Sequence, residues 1–352
     1  MTDAERRLEA PNRRGGASPR IVERSAVYGY RFASWLLRTL PAGPTGTILG
    51  LGAQASYLLL PTKRAWSNRN FAHVLGVQPD DPRVRRLALR AYREYGRYLV
   101  ELMRVPFMPE EQVVGLLEPL DPVQIQRFRD ETPGGLIITA AHVGNNDVIG
   151  AAIAHMGLPL NVVADDSSFP ELFDYLRAQR EQWHAKLIPW RNLRAIFGVL
   201  RRRELLGLLV DWGYRSDGIP VRLFDSWTAL PAGPATLAAK TSSRILPVIT
   251  TRQPDGRLRV VLREPITVPS SDPADLQRAT QAIADAVAET VSRAPEQWYS
   301  FKPIWPATDS EAADLERRAL AMQAGRPDPG PARGRPRDEA DQVDADPIGA
   351  MP

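Results

Sequence analysis

Beyond residue 135, short apolar runs rich in Leu, Ile and Val alternate with stretches of helical period. The runs are LIITA (136–140), LNVVA (160–164), KLIPW (186–190), LLGLLVD (205–211), ILPVIT (245–250) and RLRVVL (257–262). Between them the pattern predicts helices over 146–156, 170–183, 192–203 and 232–241. Strands apolar on both faces, each followed by a helix, predict an α/β fold: a mainly parallel twisted sheet with helices on both faces. The turn around Pro254, Asp255 and Gly256 joins the last two runs as an antiparallel edge. A helix over 272–293 opens on Asp272 and Pro273 and carries Leu276, Ile283, Val287 and Val291 as one stripe. Thr308 and Glu311 form a capping box for a last helix to about Met322, after which the Pro-, Gly- and Arg-rich composition predicts a disordered tail over 325–352.

The first third of the chain is patterned differently. Residues 1–24 hold six arginines and no apolar period, which reads as a disordered basic arm. Residues 25–60 read as two helices broken at Pro41 and Pro44, with Tyr28, Phe32, Trp35, Leu36 and Leu40 on one broad face. Neither run supplies the ~20 apolar residues needed to span a bilayer. A hairpin lying in a membrane interface and a hairpin packed on the core both fit that pattern. Residues 61–80 read as a basic, aromatic connection, and Asp81 with Pro82 starts a long helix. On that helix Val84, Leu87, Tyr95, Leu99 and Leu102 recur at helical spacing, while Arg83, Arg86, Arg90, Arg93 and Arg97 take other faces.

Composition narrows the chemistry. The chain of 352 residues has no cysteine, so thiolate nucleophiles, disulfides and thiolate metal sites are excluded. Its four histidines, His73, His142, His155 and His184, show no metal-ligand pairing, and no metal or bound cofactor is expected. The formal charge of +4 with clustered arginines favours an anionic membrane surface or an acidic carrier as partner. No nucleic-acid module is recognisable, and nucleic acid is not expected to bind. The nucleophile elbow of α/β-hydrolases and the phosphate loop of nucleotide-binding proteins are absent as well.

The candidate chemistry lies in 134–152, GGLIITAAHVGNNDVIGAA, where His142 and Asp147 follow the first strand. That is the carboxyl end at which open α/β sheets bind substrates. On a regular helix a five-residue offset separates side chains by roughly 140°. The pair can therefore meet only if His142 stays in the loop and Asp147 lies in the first helical turn. Asp147 would then fix one imidazole nitrogen and leave the other as a proton acceptor. Gly144 suits the turn, and Gly144 and Asn145 are candidate substrate contacts beside the helix start, whose N–H groups favour developing negative charge.

At this point the sequence resembles the bacterial lipid A late (lauroyl and myristoyl) acyltransferases and their relatives, the phosphatidylinositol mannoside acyltransferases. The resemblance runs from about Trp66 to Trp305 through AWSNRNFAHVLG, YREYGRYLVELM, GGLIITAAHVGNND, FPELFDYLRAQR, LLGLLVDWGYRSDGIPVRLF, LPAGPATLAAKTSSRILPVIT and APEQWYSF. It implies a membrane-associated acyltransferase domain over 61–324. Its donor would be acyl-CoA or acyl carrier protein, its acceptor a hydroxyl of a glycolipid or phospholipid, and its location the cytoplasmic face of the plasma membrane. It also implies that His142 and Asp147 are catalytic, and that Arg180 and Asp211 line the site, Arg180 as a phosphate holder or a partner of Asp211. In the expected mechanism, His142 takes a proton from the acceptor hydroxyl as it attacks the thioester. Two other readings use the same fold: a hydrolase that passes the acyl group to water, and a non-catalytic lipid-binding protein.

Overall fold

The computed structural model describes residues 19–166 and 170–331. Five strands form the parallel part of the sheet: β1 (Leu136–Ala140), β2 (Leu160–Ala164), β3 (Ala185–Pro189), β4 (Leu205–Leu209) and β7 (Arg244–Arg252). Their order is β3-β2-β4-β1-β7, and β8 (Leu258–Leu262) and β9 (Ile266–Thr267) pair with β7 antiparallel. The α/β reading and its antiparallel edge are therefore present. Neighbouring residues of each central strand enter opposite cores. Leu136, Leu205 and Leu246 pack with α7 (Asn146–His155) and α6 (Pro122–Asp130). Ile137, Leu206 and Ile245 pack with α9 (Leu193–Arg201), α10 (Gly233–Thr241) and α11 (Pro273–Arg293). This two-sided burial is why the strands read as continuous apolar runs.

One hairpin was not expected. β5 (Ile219–Leu223) and β6 (Ser226–Leu230) form a separate two-stranded sheet packed on α11 and α12 (Asp309–Gln323). Its turn residues Phe224 and Asp225 both take positive φ, at 49° and 61°, without the glycine or asparagine that usually marks such a turn.

Among the described residues the chain ahead of the sheet forms α1 (Pro19–Thr39), α2 (Ala42–Leu59), α3 (Pro61–Leu75) and α4 (Pro82–Arg104), followed by the short α5 (Glu110–Gly115) and by α6. Two expectations change here. Residues 61–75 are helical, although they read as a connection. Their inward positions include the polar Ser67 and Asn70, both buried, which hides the apolar period. Helix α1 starts at Pro19, inside the stretch expected to be a disordered arm, while residues 1–18 lie outside the described ones. At the other end the described chain continues to residue 331, past the expected boundary of the tail. Buried Arg318 of α12 pairs with Asp328 at 2.7 Å and donates to the carbonyls of Ser216 and Gly218. Residues 332–352 of that tail lie outside the described ones.

Helix α4 is the frame on which the N-terminal helices meet the sheet. Gly96 of α4 lies against the backbone of Gly50 on α2, so close that a Cβ would fall on the Gly50 nitrogen. The Tyr28, Phe32 and Trp35 face of α1 is turned outward, while Tyr30, Ser34 and Leu37 are buried. Tyr30 and Leu37 pack with Val100 and Met103 of α4 and with Leu172 and Leu176 of α8 (Pro170–Glu181).

Candidate active site

His142 lies in the loop between β1 and α7, two residues beyond the last strand position. The parallel register pairs Ala140 of β1 with Leu209 of β4. Carried two residues further, it sets His142 beside Asp211. The His142 Nδ1 lies 2.6 Å from Asp211 Oδ1, and the His142 backbone N–H donates to both carboxylate oxygens at 3.0 Å. Trp298 Nε1 donates to Oδ2 at 2.7 Å, and Ser300 Oγ donates to the Asp211 carbonyl at 2.6 Å. The side chain of Asp211 is 0% exposed and that of His142 12%. A reachable imidazole thus rests on an enclosed carboxylate.

Burial alone would push the Asp211 carboxyl up, but the adjacent His142 and the donors on its oxygens hold it below the ordinary aspartate range. Asp211 therefore remains an anion at neutral pH. A carboxylate at Nδ1 keeps the ring proton there, which makes Nε2 the basic nitrogen of the neutral imidazole.

The expectation that Asp147 holds the imidazole is corrected by this geometry. Asp147 stands in the first turn of α7, as expected, but its carboxylate accepts from Arg180. The Nε contact is 2.9 Å, with a closer one from Nη2, and Tyr98 Oη donates to Oδ2 at 3.2 Å. The carboxylate partners are thus exchanged: Asp211 takes the histidine and Asp147 takes Arg180. Arg180 is buried on α8; desolvation weakens its charge, yet Asp147 outweighs that and holds the guanidinium protonated. Burial, reinforced by Asp147, pushes the Tyr98 hydroxyl far above its usual range.

Gly144 and Asn145 are occupied within the fold. Gly144 takes φ 71° and its N–H donates to the Gln297 carbonyl at 3.3 Å. Asn145 is 0% exposed; its Oδ1 accepts from Val148 N–H as the cap of α7, and its Nδ2 donates to Glu101. Neither contact leaves the Asn145 amide turned to solvent, so the expected substrate contact has no support at that side chain.

Several residues of the site escaped sequence reasoning. Trp298 follows the pattern of the APEQWYSF block, yet nothing in that block says its indole reaches Asp211. Trp212 lies with its ring centroid 5.1 Å from that of His142, and Lys302 Nζ lies 4.8 Å over the Trp212 ring. The Asp211 contact had a usable signal. LIITA and LLGLL each end two residues before His142 and Asp211, so aligning the two runs as parallel neighbours brings the pair together.

A buried acid, a histidine above it and the start of a helix beside it suit proton removal from a hydroxyl that attacks a carbonyl. Comparison with known proteins identifies the family. Residues 18–306 match the model of the bacterial lipid A biosynthesis acyltransferase family. The chain is 29% identical over 299 residues to a phosphatidylinositol mannoside acyltransferase of Mycolicibacterium smegmatis, covering 83% of this chain and 93% of that one. It is 27% identical over 314 residues to the Mycobacterium tuberculosis protein of the same name, covering 85% and 94%. With the match extending from α1 to the segment that holds Asp211, the chain belongs to the bacterial lipid A biosynthesis acyltransferase family and is an acyltransferase.

Proposed function

We propose that this enzyme transfers a fatty acyl group from an acyl thioester, carried by coenzyme A or acyl carrier protein, to a hydroxyl of a glycolipid. The acceptor class is taken from the relatives named for phosphatidylinositol mannoside. The observation that carries the reading is the 2.6 Å contact between His142 Nδ1 and the enclosed Asp211 carboxylate. With Nδ1–H held there, Nε2 removes the proton of the acceptor hydroxyl as its oxygen attacks the thioester carbonyl. The C–O bond forms, the C–S bond breaks, and the thiolate leaves and takes up a proton. Base catalysis of this kind contributes roughly 10²–10⁴-fold, and the remainder comes from positioning and from donors facing the oxyanion. Arg180 is spent on Asp147, so it braces the first turn of α7 where a phosphate-holding role had been expected.

The enzyme works peripherally at an anionic membrane. No helix among the described residues is long and apolar enough to cross a bilayer. Tyr28, Phe32 and Trp35 on α1 and Ile48, Leu51 and Leu59 on α2 are more than half exposed, and exposed Arg31 and Arg38 lie among the former. Apolar side chains with interspersed arginines suit insertion to headgroup depth on the cytoplasmic face, where both donor types reside.

The test is transfer of radiolabelled palmitate from palmitoyl-coenzyme A to a total polar lipid extract of the source organism, resolved by thin-layer chromatography. A labelled lipid made by the wild type and absent with His142→Ala is expected. Free palmitate in place of a labelled lipid would make the protein a thioesterase, and a labelled lipid persisting in His142→Ala would remove the histidine from the mechanism.

A further inference from the structure

The loop carrying His142 is fixed from behind by a buried polar network that the proton transfer does not use. Glu101, on the last turns of α4, has a side chain only 17% exposed. Its Oε2 accepts from Asn145 Nδ2 at 2.9 Å and, at closer range, from Arg252 Nη2. Arg252, at the end of β7, has a side chain 4% exposed. Its Nη1 donates to the Gly256 carbonyl, and its backbone exchanges two hydrogen bonds with the Gln297 side chain, at 2.6 and 2.9 Å. Gln297 returns to the loop by accepting from Gly144 N–H. Next to it, Tyr299 N–H donates to the His142 carbonyl at 2.8 Å, and Thr250 Oγ1 donates to the Val143 carbonyl. Three distant segments thus converge on residues 142–145.

Within that network Asn145 can take only one orientation. Its amide must present oxygen to Val148 N–H, to cap α7, and nitrogen to the Glu101 carboxylate. Glu101 accepts only, so it selects that orientation. Arg252 faces its Oε2 as the buried counter-charge, and Arg97 lies 3.4 Å from its Oε1.

We infer that Glu101 is a positioning residue for the transfer reaction, orienting Asn145 and through it the helix start and the loop that carry His142. The inference rests on His142 being the base, as proposed above. It concerns the transition state more than substrate affinity, because a displacement of about 1 Å in such a loop can cost on the order of 10²-fold in rate.

A swap of the two side-chain groups tests it. Asn145→Asp keeps an oxygen for Val148 N–H but sets a carboxylate against Glu101, and kcat should fall on the order of 10²-fold with little change in KM. Glu101→Gln alone leaves an oxygen for Asn145 and should lower kcat less. The double variant E101Q/N145D restores a donor opposite an acceptor and leaves one carboxylate beside Arg252, so kcat should recover well above that of N145D. A double variant no better than N145D overturns the inference, as does an N145D enzyme with unchanged kcat or with its loss confined to KM.

Folding failure of N145D is controlled by the double variant, which carries the same substitution. A readout free of turnover is the downfield Nδ1 proton of His142 in nitrogen-15 spectra, assigned by its absence in His142→Ala. It should weaken in N145D and return in the double variant; an unaltered signal in N145D would also count against positioning. If His142→Ala retains transfer, the reading of the base falls while this resonance still reports on the loop.

Discussion

Asp211 receives three donors on two oxygens inside the protein, and nothing but an anion satisfies all three. Asp211→Asn must turn an amide N–H₂ towards at least one of them. It should lower transfer by roughly 10²–10⁴-fold, since the imidazole then loses the acceptor that sets its tautomer. The same change should cost about 1–3 kcal/mol of stability at neutral pH through an unsatisfied buried donor. The pH dependence follows from the lowered carboxyl. A group more acidic when folded stabilises fully above its unfolded value, near ~3.9, and loses that contribution as pH falls through the folded value. Urea unfolding of wild type and Asp211→Asn should therefore differ by the full amount at neutral pH, and the difference should shrink as pH falls from about 4 through the folded value. Asp147 behaves differently: Asp147→Asn leaves buried Arg180 charged with its partner gone, which should cost about 3–5 kcal/mol in the same assay. His142 was legible in the sequence because it is a lone histidine in a small polar loop after a strand. Its partner was not, because five positions along the chain say less than two strands in register; Asp211 is nearer in space than its separation in sequence suggests.

At the scale of elements, what could be read was what is regular. The five parallel strands and most of the helices on them show in the alternation of runs, since the central strands are buried on both faces. α3 was missed because Ser67 and Asn70 occupy inward positions, where Asn70 donates to the carbonyls of Ser300 and Lys302. A helix that binds a loop through polar groups has no apolar stripe to announce it. The β5–β6 hairpin was hidden by Pro220 within its first strand and by a turn made from Phe224 and Asp225. The packing of α2 on α4 depends on a contact that no periodicity reports. Gly50 and Gly96 let the two backbones touch, and Gly96→Val would drive them apart. Overpacking of that kind costs about 1–3 kcal/mol and sometimes more. Thermal unfolding should shift down accordingly, and proteolysis between α1 and α2, at Leu40 and Pro41, should accelerate before global unfolding as the hairpin loosens.

At the scale of the whole molecule, the helix that would meet the membrane also touches the elements behind the site. One side of α1 carries Tyr28, Phe32 and Trp35 outward, and the other seats Tyr30 on α8, its ring 5.8 Å from that of Tyr175 and one and a half turns before Arg180. The apolar residues picked from the sequence as one face of this helix are the ones left exposed. An amphipathic pattern identifies a face but does not say whether protein or lipid covers it, so the two sides had to be told apart by packing. The prediction is that Phe32→Glu with Trp35→Glu leaves thermal unfolding within ~0.5 kcal/mol of wild type, as for surface positions, while sharply reducing cosedimentation with vesicles containing phosphatidylinositol. Wild-type binding should weaken as salt is raised, because arginines near an anionic surface contribute about 1 kcal/mol each and that attraction is screened within a Debye length. Transfer to acceptor lipid held in vesicles should fall with binding, whereas hydrolysis or transfer in detergent micelles should fall less, since there the acceptor no longer has to be reached across an interface. Equal vesicle binding by the double variant would mean that this face meets protein instead of lipid, and the search for the membrane surface would move to the arginines exposed on α4.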